Sequence, residues 1–500
     1  MTDRALQDYS QSQALIPDRQ VTSQAQSLTT QNSILSIDNI DNLPVQFNKR
    51  LFLIIISSTI GGLLFGYDTG IISGVLANLQ PNDISLIDLS NFHKELITSM
   101  TSLGSFLASL IAFALADHYG RKFTLALCSC IFIIASLWMA LSTTLTYLVI
   151  GRFIVGLAIG TVAQCIPVYL SEMAPAPIRG KILTLNVVSI TFGQLFSYAI
   201  AICLTIPHAW RYLFAFAAIP AIVFLLVLDF IPESPRWLLS QNNTTDAIKT
   251  LSIIYPTATT TQLNFKIKLL QTNITTGPTT SLKELTAPTK RALFVGCTLM
   301  LFQQISGFNA FMYYTATIFK ELQPSQNPLL PALLIAATNC LFTCIALYFI
   351  DSVGRRTILL ITIPFMTFSL MISSIAFRNN DTHLILTSLC LFVASYALAM
   401  GYIPWSSVEF LPLDKRAFGS SCISCTNWLS NSLISISFLT TMKSFGSENT
   451  MLCFTFITIM NWLFVWKFYP EVKGLSLEEI AHIFKDGIDI HYVYRNYHST

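Results

Sequence analysis

The feature that most constrains this chain is a series of long apolar segments that recurs along nearly its whole length, as at residues 51–58 and 217–228. Hydrophobic residues make up 53% of the 500 and charged residues only 11%, whereas a soluble domain has about 25% charged residues. A bilayer core about 30 Å thick needs roughly 20 apolar residues per helix. The sequence therefore predicts an all-α membrane protein.

The apolar segments, which charged residues separate, predict twelve transmembrane helices. They cover residues 51–77, 94–116, 123–142, 146–170, 182–204, 212–231, 291–319, 329–350, 357–377, 384–408, 418–441 and 451–469. An even number of spans places both termini on one side. The basic residues on that side are Lys49, Arg50, Arg121, Lys122, Arg179, Lys181, Arg355, Arg356, Lys415 and Arg416, with the basic stretch between 232 and 291. Because basic loops stay in the cytoplasm, we predict that both termini are cytoplasmic. We also predict that the protein lies in the plasma membrane.

One long internal loop divides the spans into two groups of six. The predicted divisions are a disordered cytoplasmic tail at 1–48, a six-helix half at 49–231, a cytoplasmic loop with short amphipathic helices at 232–290, a second six-helix half at 291–469 and a cytoplasmic tail at 470–500. The first segment is rich in Gln, Ser and Thr, a composition typical of disorder. The loop helices are predicted from short periodic apolar patterns.

Charged patterns of the first half recur in the second, each displaced by 234 to 238 residues. These patterns are the segments DHYGRK at 117–122 and DSVGRR at 351–356, the pairs Glu172 with Arg179 and Glu409 with Arg416, and Pro-Glu at 232–233 and 470–471. Three unrelated patterns with nearly one displacement indicate two related halves. Two pseudo-symmetric six-helix bundles are a transporter architecture, with the solute site near the midplane between them.

Charge and composition argue against several other classes of protein. The net charge is +3 and the 29 Lys and Arg residues are scattered, so nucleic acid is not a predicted partner. The 11 cysteines lie in apolar segments, which argues against a disulfide framework. We predict no catalytic residue, metal or cofactor, and a monomer whose partners are a small solute and the lipid bilayer.

The motifs, taken together, resemble the sugar-porter branch of the major facilitator superfamily over residues 51–485. They are GGLLFGYDTG at 61–70, both Asp-x-x-Gly-Arg loops, PESPR at 232–236, QQISGFN at 303–309 and PEVKG at 470–474. Within that branch the chain is most similar to proton-coupled myo-inositol transporters. Val187 stands where many hexose and pentose porters have a Gln that contacts sugar, which favours inositol.

Asp68 is the most informative single residue, because an acid inside an apolar helix is costly and marks a functional site. Arg152 lies at a similar depth in the fourth span. Burial favours a neutral carboxyl and a nearby guanidinium favours the charged form, so a change in their separation loads or releases a proton. Family members that facilitate passive transport commonly have Asn here, which makes Asp68 a predicted proton site. A static ion pair is the alternative.

A polyol presents many hydroxyls and no charge, so its site requires amides and aromatic faces. The seventh span supplies Gln303, Gln304 and Asn309, which converge only if the helix breaks near Gly307. By resemblance, further substrate-binding positions are Gln194, Tyr313, Trp405, Asn427 and Trp428. Hydrogen bonding between helices and interfacial anchoring are the alternatives for the amides and the Trp residues.

Repeated charges at the cytoplasmic ends of the spans predict a gate. They are Asp117, Arg121, Glu172, Arg179 and Glu233 in the first half and Asp351, Arg355, Glu409, Arg416 and Glu471 in the second. Interhelical ion pairs among them are expected only in the outward-facing state. A plain topology signal is the alternative, although the positive-inside rule does not account for the acids.

The sequence therefore favours a carrier that moves myo-inositol or a close polyol together with protons. The alternatives are a proton/hexose symporter, a facilitative sugar uniporter and a non-transporting nutrient sensor. A sensor of this fold is expected to carry a long cytoplasmic signalling tail, whereas about 30 residues follow Pro470.

Overall fold

A computed structural model describes residues 48–274, 285–412, 415–473, 475 and 477–493. Within these ranges the chain is helical. The first half contains α1 Lys49–Asn78, α2 Asn91–Tyr119, α3 Arg121–Ala140, α4 Leu145–Met173, α5 Arg179–Cys203 and α6 Ala209–Phe230. The long loop contains α7 Pro235–Ser240, α8 Thr244–Ile254 and α9 Thr260–Ile274. The second half contains α10 Ala287–Ile305, α11 Phe308–Leu322, α12 Leu329–Val353, α13 Arg355–Arg378, α14 Thr382–Leu398, α15 Ile403–Ser406, α16 Arg416–Phe445 and α17 Ser447–Phe468, with α18 Leu477–Ile483 after it.

The predicted twelve-helix architecture is confirmed. In the described part of the chain, eleven helical segments are long and apolar enough to cross a membrane, with α10 and α11 together forming one of them. The twelfth span is α16, which is 30 residues long but rich in Ser and Asn. Asn427, Asn431 and Ser435 of α16 are buried inside the bundle, where polar side chains find partners that lipid cannot offer.

Helices pack closely within each half, and three helix pairs make the main contacts between the halves. In the first half α1 packs on α5 and α2 on α4, and in the second α13 packs on α17. The halves meet where α1 contacts α11, α2 contacts α16 and α5 contacts α12. These three pairs enclose the space at the middle of the bundle.

Glycines allow α1 and α5 to approach to backbone distance. A methyl group at Gly62 or Gly66 would press against the carbonyl oxygens of Asn186 and Ile190, respectively, on α5. Small residues that let backbones meet are a common means of helix association in membranes. The glycine stripe of α1 therefore sets the distance between α1 and α5.

The far face is the side of the bundle opposite to the one at which α1 begins, and here the halves are tied by hydrogen bonds. The carboxylate of Glu95 on α2 accepts from the backbone N–H of Thr440 at 2.7 Å and from its hydroxyl at 2.6 Å. Lys320 Nζ donates to the carbonyl of Ala77 at 2.8 Å. Glu95 is fully buried, so its charge depends on these bonds.

Both ends of the described chain are attached to the opposite, terminal face. Of the predicted tail at 1–48, only Asn48 is described, and its Oδ1 accepts from Leu51 N at 2.7 Å while Nδ2 donates to the Ile253 carbonyl at 2.7 Å. Arg291 Nη1 donates to the carbonyls of Phe484 at 3.0 Å and Lys485 at 2.9 Å. Residues 494–500 of the predicted tail at 470–500 lie outside the described part of the chain.

Candidate functional site

The seventh span is broken at Gly307, as the sequence predicts. Helix α10 ends at Ile305 and α11 begins at Phe308, with Gly307 between them at φ +88°. That left-handed conformation suits a residue without a side chain. The break turns the polar side chains of the two half-helices toward one another.

Three amides meet beside this break. Asn309 Nδ2 donates to Gln304 Oε1 at 2.6 Å, and Gln304 Nε2 donates to Asn427 Oδ1 on α16. Gln303 Oε1 accepts from Gln304 Nε2 at 3.4 Å, and Gln303 Nε2 donates to the carbonyl of Met400 at 2.5 Å, just after α14. Gln304, Asn309 and Asn427 therefore form the centre of one hydrogen-bonded group, and Gln303 joins that group to the tenth span.

Gln194 links the two halves through its side chain. Its Nε2 donates to Thr69 Oγ1 on α1 at 3.1 Å, and its Oε1 accepts from Asn339 Nδ2 on α12 at 2.9 Å. Sequence reasoning missed Asn339, which is a buried amide in an otherwise apolar span. The same rule that singled out Asp68, a polar group inside a membrane helix, could have found it.

Asp68 and Arg152 are in direct contact, as their matching depths suggest. Arg152 Nη1 lies 2.8 Å from Asp68 Oδ1, and both side chains are 2% exposed. Arg152 Nε also donates to the carbonyl of Ile97 on α2 at 3.3 Å. The second carboxylate oxygen, Asp68 Oδ2, is buried without a hydrogen-bond partner among the described residues.

One small cavity of about 10 Å³ joins this ion pair to the predicted substrate residues Tyr313 and Trp428. The remaining wall comes from Phe65, Thr69 and Ile159 and from the hydroxyl residues Thr98, Thr101 and Ser102 of α2. Sequence reasoning missed these three α2 residues. The signal that could have found them is the run of hydroxyl side chains inside an otherwise apolar predicted span. Trp405 is not among the residues that line the cavity.

Tyr313 and Trp428 are held in place around the cavity by contacts from both halves. The Tyr313 hydroxyl accepts from Asn431 Nδ2 at 3.1 Å. The ring of Trp428 meets the ring of Phe65 edge-on at 5.6 Å between centroids. The cavity thus places hydroxyls and aromatic faces next to one buried carboxylate, and the amides of Asn431 and Gln194 hydrogen-bond to the lining residues Tyr313 and Thr69. This chemistry suits a neutral polyhydroxylated solute and a proton.

The charges of the first half form a cluster at the terminal face. Arg121 Nη2 lies 2.9 Å from Asp117 and its Nε lies 3.1 Å from Glu172. Glu233 instead caps the start of α3, accepting from the backbone N–H groups of Arg121 at 3.2 Å and Lys122 at 2.9 Å. Arg179 is exposed at the start of α5.

Burial raises the pKa of the Glu233 carboxyl, and the amide donors together with the Arg121 guanidinium oppose that rise. A carboxylate at a helix N-terminus is stabilised by the free N–H groups and the helix dipole. Glu233 therefore contributes to the local structure of the first half as a helix cap.

The second half repeats the arrangement. Glu471 accepts from the backbone N–H groups of Arg355 at 3.1 Å and Arg356 at 3.0 Å, and so caps α13. Arg355 lies 3.8 Å from Glu409, and Arg416 Nη2 donates to the carbonyl of Leu411 at 3.3 Å. The side chain of Asp351 lies outside the described part of the structure.

These contacts change the expected picture of the gate. Arg121 pairs with Glu172 and Arg355 with Glu409 within one half each, while the halves are in contact at the far face. Neither pair joins one half to the other, and the expected restriction of such pairs to the outward-facing state stays a prediction. Glu233 and Glu471 contact backbone amides in the structure.

Three comparisons place this architecture among known proteins. The family model described as Sugar (and other) transporter matches residues 54–484. A probable metabolite transport protein of Saccharomyces cerevisiae is 47% identical, over 96% of this chain and 99% of the relative. Myo-inositol transporter 2 of Schizosaccharomyces pombe is 39% identical, over 86% of this chain and 80% of the relative.

Solved structures of the xylose transporter from E. coli match the fold. A partially occluded inward open form has a TM-score of 0.75 at 26% identity, covering 86% of this chain and all 100% of that chain. The structure of the same protein described as a proton:xylose symporter of the major facilitator superfamily has a TM-score of 0.74 at 27% identity, covering 87% and 99%. The twelve-helix fold, the motifs and these matches show that the chain is a multi-pass membrane protein of the sugar transporter family in the major facilitator superfamily.

Proposed function

We propose that this transporter imports myo-inositol or a close polyol together with protons by alternating access. The observation that carries the proposal is the single cavity shared by the Asp68–Arg152 ion pair and by Tyr313 and Trp428. A carboxyl that shares a cavity with residues of the predicted solute site is in a position to couple its protonation to solute binding. The names of the relatives, a myo-inositol transporter and a proton:xylose symporter, support the two parts of the proposal.

The amide group provides the proposed polyol site. Gln304, Asn309 and Asn427 together offer donors and acceptors, and among the described residues their side chains hydrogen-bond to neutral amides. Gln194 and Asn339 offer the same chemistry at the junction of α5 and α12. Neutral amides match a solute with many hydroxyls and no charge. In this scheme Gln303 and Trp405 are also part of the polyol site, because they lie on α10 and α15, the half-helices of the broken seventh and tenth spans.

In the proposed orientation the termini are cytoplasmic and the far face is the outer side of the plasma membrane. The bonds of Glu95 and Lys320 across the far face then close the outer entrance. The transporter works as a monomer and uses the proton as its coupling ion, with no other cofactor. Arg121 and Arg355, with their acidic partners, stabilise the cytoplasmic end of each half.

Competition for uptake tests the substrate. Proteoliposomes with an inward pH gradient are given labelled myo-inositol, and unlabelled myo-inositol, glucose, xylose and sorbitol compete in parallel. We expect myo-inositol to compete best and the uptake to collapse when the pH gradient is dissipated. Better competition by glucose would establish the hexose symporter, uptake independent of the gradient would establish the uniporter, and absence of any flux would establish the sensor.

Gln304→Leu should raise KM for myo-inositol about tenfold or more, because it leaves the amides of Asn309 and Asn427 without their shared partner. The initial rate of labelled uptake against inositol concentration measures it. Gln241→Leu is the matched control, since Gln241 is exposed in the loop after α7. An unchanged KM in Gln304→Leu would contradict the assigned role.

Glu95→Ala should make the far face open more often, because the Thr440 N–H and hydroxyl lose a buried charged acceptor. Hydrogen bonds to charged groups contribute about 1.5–3 kcal/mol, which corresponds to at least a tenfold rise in opening. Hydrogen exchange of the amides at residues 430–440 measures it. Glu448→Ala, at an exposed ion pair with Arg378, should leave that exchange at the wild-type rate, and equal rates in both variants would refute the prediction.

A further inference from the structure

Three of the residues that line the small cavity each carry a buried polar atom with no hydrogen-bond partner among the described residues. The atoms are the Asp68 carboxylate oxygen Oδ2, the Thr101 hydroxyl oxygen and the Trp428 indole nitrogen. The three residues are 2%, 6% and 3% exposed. Buried polar groups almost always have a partner, so three such groups at one cavity indicate a common ligand.

The hydrogen-bonding capacities of the three atoms define that ligand. The indole N–H of Trp428 can only donate, the carboxylate oxygen of Asp68 can only accept and the hydroxyl of Thr101 can do both. A molecule that satisfies them together must accept at least once and donate at least once. The cavity volume of about 10 Å³ corresponds to about one water molecule, and a polyol does not fit it.

We propose that this cavity binds one water molecule, held by Trp428, Thr101 and Asp68, through which Asp68 exchanges its proton with the solute compartment. The inference rests on the proposed proton coupling and adds the route by which the proton reaches and leaves Asp68. Water accepts from Trp428 and donates to the Asp68 carboxylate, with Thr101 orienting it. Thr101 is a positioning residue in this scheme, because it acts on the carboxyl through the water.

The exchange is a balanced proton transfer. When Asp68 releases its proton, the carboxyl O–H bond breaks, the water gains the proton as hydronium and the carboxylate remains beside Arg152. The hydronium then passes its proton to a water molecule of the solute compartment once the cavity opens to it. Loading is the reverse transfer.

The other charged or titratable groups around Asp68 come from three helices. Arg152 on α4 binds Oδ1 of Asp68, and Tyr313 on α11 lines the cavity. Tyr67 precedes Asp68 on α1, and its hydroxyl donates to the Leu213 carbonyl at 3.0 Å. The described residues that α2 and α16 contribute to the cavity are neutral, namely Thr98, Thr101, Ser102 and Trp428. Among these residues Arg152 already holds one carboxylate oxygen, which leaves Oδ2 for the water.

Thr101→Val and Thr101→Ser test the inference, since the first removes the hydroxyl at nearly constant volume and the second retains it. We expect Thr101→Val to lower pH-driven net uptake about tenfold while equilibrium counterflow, which does not require proton release, stays within twofold of wild type. Thr101→Ser should restore net uptake. Thr455→Val is the matched control, because the Thr455 hydroxyl is buried in α17 and donates to its own helix at 2.9 Å.

Net uptake within twofold of wild type in Thr101→Val, or an equal loss of uptake and counterflow, would overturn the inference. Failure of Thr101→Ser to restore uptake would do the same. If Thr101→Val does not fold, a high-resolution structure of the wild-type protein decides: density for one water within hydrogen-bond distance of Asp68 Oδ2 supports the inference, and a dry cavity refutes it. Retained pH-driven accumulation in Asp68→Asn would instead refute the proton coupling, whatever Thr101 does.

Discussion

Asp68→Asn should abolish the uphill, pH-driven accumulation of myo-inositol while leaving counterflow of labelled inositol measurable. The amide has nearly the shape of the carboxyl but cannot ionise, so it can neither load nor release a proton. It also removes the charge that pairs with Arg152 at 2.8 Å. The predicted result is a carrier that equilibrates its solute across the membrane and no longer concentrates it.

Accumulation ratios in proteoliposomes with an imposed pH gradient measure this loss, with counterflow recorded on the same preparation. Asp246→Asn is the matched control, because Asp246 is an exposed acid on α8 paired with Lys249 at 2.8 Å. If Asp68→Asn accumulated inositol as well as wild type, Asp68 would be a structural partner of Arg152 only. Loss of both accumulation and counterflow would also argue for that static role.

Gly66→Ala should destabilise the folded transporter, because the added methyl group has no room. It would lie against the backbone carbonyl of Ile190 on α5, which cannot turn away as a side chain can. Overpacking of this kind costs about 1–3 kcal/mol. Since α1 carries Asp68 and α5 carries Gln194, a forced separation of the two helices should also reduce uptake.

Thermal unfolding of the purified protein in detergent measures the effect of Gly66→Ala. Gly180→Ala provides the matched control on α5, where nothing lies within 4 Å of the added methyl group. Alanine is the better helix former, so Gly180→Ala should leave the melting temperature equal or slightly higher. Equal melting temperatures in the two variants would contradict the close packing of α1 on α5.

The sequence predicted the helices well because their signal is local. A span must be about 20 apolar residues long wherever it lies, and the observed spans begin and end within a few residues of the predicted ones. Helix α16 shows the limit of that signal. Its polar Ser and Asn residues lower its apolar character. Those that are buried, such as Ser424, Asn427 and Ser435, face other helices, and only packing shows which neighbours they meet.

Side-chain roles at the terminal face depended on tertiary structure. The repeated acids Glu233 and Glu471 look alike in sequence to the acids Glu172 and Glu409, and all four fit the same gate prediction. In the structure the first two cap α3 and α13 while the other two approach guanidinium groups. A carboxylate bonds either kind of donor, so its partner depends on how the loops fold back.

The sequence by itself determined the twelve spans, the two related halves, the break at Gly307 and the depth of Asp68, because each follows from the length, repetition or polarity of one helix. The tertiary structure decided that Asp68, Tyr313, Trp428 and the hydroxyls of α2 line one cavity. These residues come from helices far apart in the chain. Their meeting depends on how α1 and α2 pack against α11 and α16, which no single helix encodes.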